Sequence, residues 1–228
     1  MLQSLLAIEA DPAAVLGPRA GEAMLALARP AGDELTRREA LRLAALFHDV
    51  AKPATRKVAP DGRIMFWGHD RLGADMARAA LQRLRASAEL AGFLADIALH
   101  HLRLGFLVHE RPLSRRHVYA YLRACEPVEL EVTLLSAADR LATRGERTRA
   151  EAVEAHLELA RELAGEALDW RARGGPPKPP VDGDELMRDL DLAPGPRVGE
   201  LLERLSEAVF AGEVRTRDEA IELARRLT

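Results

Sequence analysis

A chain of 228 residues with a formal net charge of −3 suits one ordinary domain plus a small appendage, and it is no polycation, so unspecific nucleic-acid affinity is not its dominant property. Hydrophobic residues make up 48% and aromatics only 4%, so alanine and leucine must fill the interior, which favours close helix–helix packing over sheets. Cys125 has no second cysteine to pair with, which excludes an internal disulfide framework and fits a cytoplasmic protein; no leader is visible, and no run of about 18 or more apolar residues marks a membrane span.

In chain order, the first clear helix opens at Thr36-Arg37-Arg38-Glu39, a capping box followed by Ala40, Leu43, Ala44 and Phe47 at helical spacing. Pro53 disfavours continuation past Lys52, so His48 and Asp49 fall in the last turn. Residues 54–68 read as a loop or short hairpin around Pro60-Asp61-Gly62. Further helices are predicted over 69–87, over 90–101, from just after Ser114 to before Pro127, over 128–143 and over 146–173. The last is richly charged and is expected to be the most exposed. The segment from Gly174 to Pro180 is a glycine–proline linker, and Val198 to Ala211 and the capping box Thr216-Arg217-Asp218-Glu219 mark helices beyond it. The organisation is an all-helical body over 1–173, a linker over 174–182 and a helical tail module over 183–228.

His48-Asp49 is the chemical focus. Neighbours on a helix point about 100° apart, so an imidazole and a carboxylate can reach one ion lodged between helices; as a bare dipeptide the pair is common. Asp139 shares a helical face with Val128, Val132, Leu135 and Ala142, which directs its carboxylate into the apolar interior, where it needs a partner: an arginine, a helix N-terminus or a divalent cation. His69 shares a face with Leu72, Gly73 and Met76, which suggests burial. His101 aligns with Leu90, Leu94 and Ile97 and His100 with Phe93 and Ile97, so periodicity leaves both open. His109, His117 and His156 read as surface or loop residues without a role.

The run Ala45-Leu46-Phe47-His48-Asp49-Val50-Ala51-Lys52-Pro53 resembles the signature of the HD-domain superfamily of metal-dependent phosphohydrolases. Residues Phe47 to Arg85, with Gly62-Arg63-Ile64 and Trp67-Gly68-His69-Asp70, are similar to the HD region of bacterial CCA-adding tRNA nucleotidyltransferases and related poly(A)-polymerase-like proteins. In the tail, Gly183-Asp184-Glu185-Leu186-Met187, Pro194-Gly195-Pro196, Val198-Gly199 and Gly212 to Arg217 are similar to the C-terminal segment of that family. The resemblance covers the chain from about Leu35 onward.

It implies an all-α HD-domain helical bundle with a small C-terminal helical module, and a phosphohydrolase activity, as phosphodiesterase or phosphatase, on nucleotides or RNA ends such as 2′,3′-cyclic phosphates. His48, Asp49 and Asp139 would bind a first metal. His69 and His101 would complete a second position, His101 being preferred over His100 because the family places a histidine two residues before an arginine, here Arg103. Asp49 would bridge two ions. One or two divalent transition metals (Mn, Fe, Ni, Co or Zn) suit this mixed ligand set and activate water for attack on phosphorus. Lys52 matches a family lysine and, with Arg56 and Arg103, would hold phosphate; helix capping is the structural alternative for Lys52. Asp70 lies beside a ligand candidate.

Two departures stand out. No Gly-Ser-like loop with a paired-aspartate strand is present, so the expectation is a stand-alone counterpart of the family's C-terminal half. No histidine precedes His48, and Glu22 falls near the position where the family carries an upstream ligand. A non-catalytic tRNA- or RNA-binding module, or a partner subunit of a nucleotidyltransferase, is the alternative expectation.

Overall fold

The computed structural model describes residues 1–143 and 149–228. Of the structure, 72% is helix and 4% strand, as an all-α bundle requires. Two compact units form: Met1–Arg111 with Ala124–Leu168, and Pro112–Arg123 with Asp169–Thr228.

The first unit opens with helices α1 (Leu2–Ala10), α2 (Pro12–Leu16) and α3 (Ala20–Leu27), in a stretch to which the sequence assigned no element. None has a side-chain cap, and α1 is apolar around much of its circumference, so neither a start signal nor a clean stripe betrays it. A short hairpin of β1 (Pro30–Gly32) and β2 (Leu35–Thr36) leads into α4 (Arg37–Phe47). The capping box is reciprocal: Thr36 Oγ1 accepts from the Glu39 amide at 3.3 Å, and the Thr36 amide donates to Glu39 Oε2 at 2.8 Å.

Helix α4 ends at Phe47 with His48 as its C-cap, and two tight turns carry the chain into α5 (Lys52–Thr55). Pro53 sits in the first turn of α5, where its missing N–H costs nothing. A second hairpin follows, β3 (Lys57–Val58) against β4 (Ile64–Met65), with Gly62 in the left-handed region at its turn.

Helix α6 (His69–Arg83) is shorter than predicted: Arg85 takes a left-handed conformation, and Ser87, predicted as helical, instead accepts the Leu90 amide as the N-cap of α7 (Ala88–His100). Ala74, Ala95 and Ala98 form a small-residue seam between α6 and α7. Past His101 the chain makes α8 (Arg103–Leu107), which the sequence did not suggest. Among the described residues, Ala88–Glu110 is long enough and, at a mean hydropathy of 1.3, apolar enough to cross a membrane by length and composition alone, although Glu89, Asp96 and Arg103 interrupt it. Its apolar side chains Leu90, Phe93, Leu94, Ile97 and Leu104 are nonetheless buried within the bundle.

Helix α9 (Arg115–Cys125) begins in the second unit and ends in the first. Helix α10 (Glu129–Ala142) follows, buried on every side from Glu129 to Ala138 and touching α1, α4, α7 and α8. Its polar positions are partnered: Glu131 by Arg37, Thr133 by the Glu129 carbonyl, Ser136 by His156. Helix α11 (Ala150–Arg173) is not the exposed helix expected from its charge; Leu159, Ala160, Leu163, Ala167 and Trp170 bury a full stripe. The predicted start at Glu146 lies outside the described residues.

In the second unit α12 (Gly183–Leu190), α13 (Pro196–Ala211) and α14 (Arg217–Leu227) pack around Leu186, Leu201, Leu205 and Ile221. Asp182 and Thr216 each form a capping box, with Glu185 and Glu219. The Gly174–Pro180 stretch lies within this unit, with Gly175 buried.

The thiol of Cys125 is fully buried, and that burial pushes it from 9.0 up to about 12. Such a thiol is almost wholly protonated, and only the thiolate reacts. Ellman's reagent is therefore expected to label the native chain roughly a thousandfold more slowly than the denatured chain. Comparable rates would contradict this placement.

Candidate metal centre

Four elements aim side chains at one point. The end of α4 supplies His48 and Asp49, the first residue of α6 is His69, the C-cap of α7 is His101, and the last turn of α10 carries Asp139. Asp49, His69 and His101 offer ligand atoms that all lie within 4.8 Å of one another. His69 Nε2 is 3.2 Å from His101 Nε2, and the two are 3.4 and 3.6 Å from Asp49 Oδ1. His48 Nε2 is 3.1 Å from Asp49 Oδ2 and 3.9 Å from Asp139 Oδ1.

All three imidazoles are buried and oriented alike. Nδ1 of His48 approaches the Ala45 carbonyl at 3.0 Å, Nδ1 of His69 the Phe66 carbonyl at 2.6 Å, and Nδ1 of His101 the Ala98 carbonyl at 2.6 Å. A carbonyl only accepts, so each Nδ1 carries the proton and each Nε2 presents a lone pair to the cluster. Two such lone pairs face each other at 3.2 Å between His69 and His101, and His48 Nε2 and Asp49 Oδ1 are buried without a hydrogen-bond partner. The 3.1 Å approach of His48 to Asp49 is close but lacks hydrogen-bond geometry, so it does not satisfy them. Donors bound to one ion at about 2.1 Å are separated by roughly 3.0–3.4 Å, close to the spacings here. The donor set therefore fits a divalent cation, which would replace mutual repulsion with coordination.

Burial alone would raise the Asp49 carboxyl, but the Lys52 ammonium hydrogen-bonded to it is among the groups that outweigh burial and hold it well below the usual carboxylate range. Lys52 Nζ donates to Asp49 Oδ2 at 2.6 Å and lies 5.7 Å from the centre of the Phe66 ring. The ammonium engages Asp49 rather than capping α4.

Other expected residues fall differently. Asp139 does not point into the dry core: its side chain is 48% exposed, because α10 emerges from the bundle after Ala138. Among the described residues no arginine pairs with it. His100 turns away from the cluster and accepts a hydrogen bond from Arg103 Nε at 2.9 Å, which leaves His101 as the histidine of α7 that joins the others. Glu22 is exposed and bound by Arg19, so the structure brings it into no contact with the cluster. Arg56 is exposed ahead of β3, and Asp70 is half-buried in the first turn of α6. His156, given no role from sequence, is buried and lies 3.0 Å from Ser136 Oγ, one turn before Asp139. Its spacing from Ala160, Leu163 and Ala167 marked that face.

Three imidazoles have proton affinities depressed by the fold, in each case chiefly by burial: His100 to about 4, and His101 and His156 also below the usual 6.5. The unfolded chain takes up protons at these groups below pH 6.5 and the folded chain does not, so acid favours unfolding. Asp96, raised by its own burial, opposes this near the bottom of the window. The metal-free chain is expected to lose urea resistance steadily as pH falls from about 6.5 to about 4, as a midpoint series would show. A flat profile would contradict it.

A model of the HD domain matches residues 22–144. The chain belongs to the HD domain family. This HD-domain chain is 40% identical over 181 residues to the CC-adding tRNA nucleotidyltransferase of Thermus thermophilus, covering 78% of the chain and 38% of that protein. It is 36% identical over 182 residues to the A-adding tRNA nucleotidyltransferase of Deinococcus radiodurans, covering 79% of the chain and 40% of that protein. The chain thus spans about two fifths of the length of these relatives, and the kinship expected from the His48–Pro53 and tail motifs is shown.

Proposed function

We propose that this HD-domain chain is a metal-dependent phosphohydrolase acting on nucleotides or RNA ends, with 2′,3′-cyclic phosphates as the favoured class. The observation that carries this reading is the 3.2 Å meeting of two imidazole lone pairs beside an ionised, partner-poor Asp49 oxygen. His69, His101 and Asp49 Oδ1 would hold one ion; His48, Asp139 and Asp49 Oδ2 line the adjoining side, so Asp49 would bridge if a second is bound. A mixed imidazole and carboxylate set favours Mn, Fe, Co, Ni or Zn. Bound there, such an ion supplies Lewis-acid activation of water and of phosphoryl oxygens.

The remaining work falls to the chain. Lys52, half-exposed against Asp49, can swing to a phosphoryl oxygen, and Arg103, whose Nε is held by His100, would be a second phosphate contact. The exposed Arg56 adds to the attraction for phosphate. Asp70, in the first turn of α6 next to His69, would be the candidate to take a proton from water.

The test is turnover of bis-p-nitrophenyl phosphate and 2′,3′-cyclic AMP by the full chain supplied in turn with Mn, Co, Ni and Zn. Activity that disappears with chelation supports the reading; absence of turnover with every metal opposes it.

A second reading rests on the relatives, whose names assign them to tRNA. In it the chain is an RNA-binding module or a partner of a nucleotidyltransferase, and the histidine cluster is structural. Salt-dependent tRNA binding unchanged by Asp49→Ala, without turnover, would favour it.

A further inference from the structure

We infer that Trp67 is a stacking platform for the base of a nucleotide whose phosphate sits at the histidine–aspartate cluster; this deepens the hydrolase reading and rests on it. The chain has two tryptophans with opposite fates. Trp170 is 1% exposed within an aromatic cluster with Tyr119 and Phe210, whereas Trp67 is 75% exposed. An indole left in water forgoes much of the burial that large aromatic side chains contribute, and an aromatic face offers nucleobases a surface that tolerates any base.

The neighbours of Trp67 in the chain are tied to the cluster. The preceding Phe66 accepts the His69 Nδ1 hydrogen bond on its carbonyl, lies 6.4 Å from the His69 ring and receives the Lys52 ammonium over its face. The following Gly68 has φ +77 and turns the chain directly into α6. Two residues of chain keep the Cα atoms of Trp67 and His69 within about 7 Å of each other, so the indole is rooted beside the cluster.

The adjoining surface has the charge for such a ligand. Residues 52–71 carry Lys52, Arg56, Lys57, Arg63 and Arg71 against Asp61 and Asp70, in a chain whose net charge is −3. Across the hairpin, Val58 pairs with Ile64, so both side chains lie on one face, and both are exposed. Exposed apolar groups set among cations, beside an exposed indole, suit a base-bearing phosphate better than inorganic phosphate or a simple sugar phosphate.

Because Trp170 is buried, Trp67 supplies the solvent-exposed part of the intrinsic emission. The full chain, with and without Mn, is titrated with 2′,3′-cyclic AMP, ribose 5-phosphate and inorganic phosphate while that emission is followed. Cyclic AMP is expected to quench it saturably, and the two base-free probes to leave it unchanged. Trp67→Ala, followed by calorimetry, is expected to weaken cyclic AMP binding roughly tenfold or more, with inorganic phosphate affinity unaltered; Trp67→Phe restores part of the loss. Unquenched emission, or cyclic AMP affinity equal in wild type and Trp67→Ala, overturns the inference. Failure of the hydrolase reading shows separately, as absent turnover of bis-p-nitrophenyl phosphate in the wild-type chain.

Discussion

Asp49→Ala is expected to empty the candidate centre of metal and to abolish hydrolysis. Asp49 is the residue both halves of the cluster share: Oδ1 faces His69 and His101, and Oδ2 faces His48 and Lys52. Loss of a residue that merely orients a ligand already costs about 10–100-fold in metal affinity or activity, so loss of the shared ligand should exceed that range. The carboxylate makes no hydrogen bond to the backbone among those observed, so helical content should be unchanged. Lys52→Ala is the matched control: it should keep the metal and lose turnover. Metal content measured on purified protein, alongside circular dichroism and turnover, checks both. Stoichiometric metal in Asp49→Ala would remove this residue from the site.

Arg37→Ala is expected to destabilise the fold markedly by breaking a buried ion pair. Arg37 Nε donates to Glu131 Oε1 at 2.6 Å, Nη2 reaches Glu131 Oε2 and the Pro127 carbonyl, and the guanidinium lies 5.0 Å from the centre of the Phe93 ring. Glu131 is fully buried in α10. Removing the guanidinium weakens the compensation of a buried charge, at a cost of up to about 3–5 kcal/mol. For a chain of this size that lowers Tm by about 6–20 °C. Replacing both partners together, Arg37→Met with Glu131→Leu, should recover most of the loss. A Tm unchanged in Arg37→Ala would mean the carboxylate is compensated elsewhere.

The clustering of the candidate residues was legible in the sequence where local chemistry dictates local structure. Thr36 and Glu39 announce α4, and α4 in turn fixes where His48 and Asp49 emerge. His69 was placed by its apolar companions at helical spacing and by its position at a helix start. What remained hidden depends on tertiary surroundings. Periodicity could not separate His100 from His101, since the two differ by one helical step and the choice is made by where α6 and α10 lie around α7. The Asp139 face was read correctly as apolar for Val128, Val132 and Leu135, but the point where α10 leaves the core is set by the bundle, and it falls before Asp139. Charge density misled the reading of α11, because its charges crowd one side while Leu159, Leu163 and Trp170 are buried on the other. The helices α1 to α3 make no side-chain cap hydrogen bond, and the Asp11-Pro12 start signal opens a helix of only 5 residues.

Anomalous scattering from crystals of protein purified without chelator tests the central claim most directly. The account expects a transition-metal peak between His69 Nε2, His101 Nε2 and Asp49 Oδ1, with coordination distances near 2.1 Å. Density showing three imidazoles linked only by water, with no anomalous signal even after soaking in Mn or Zn, would contradict it.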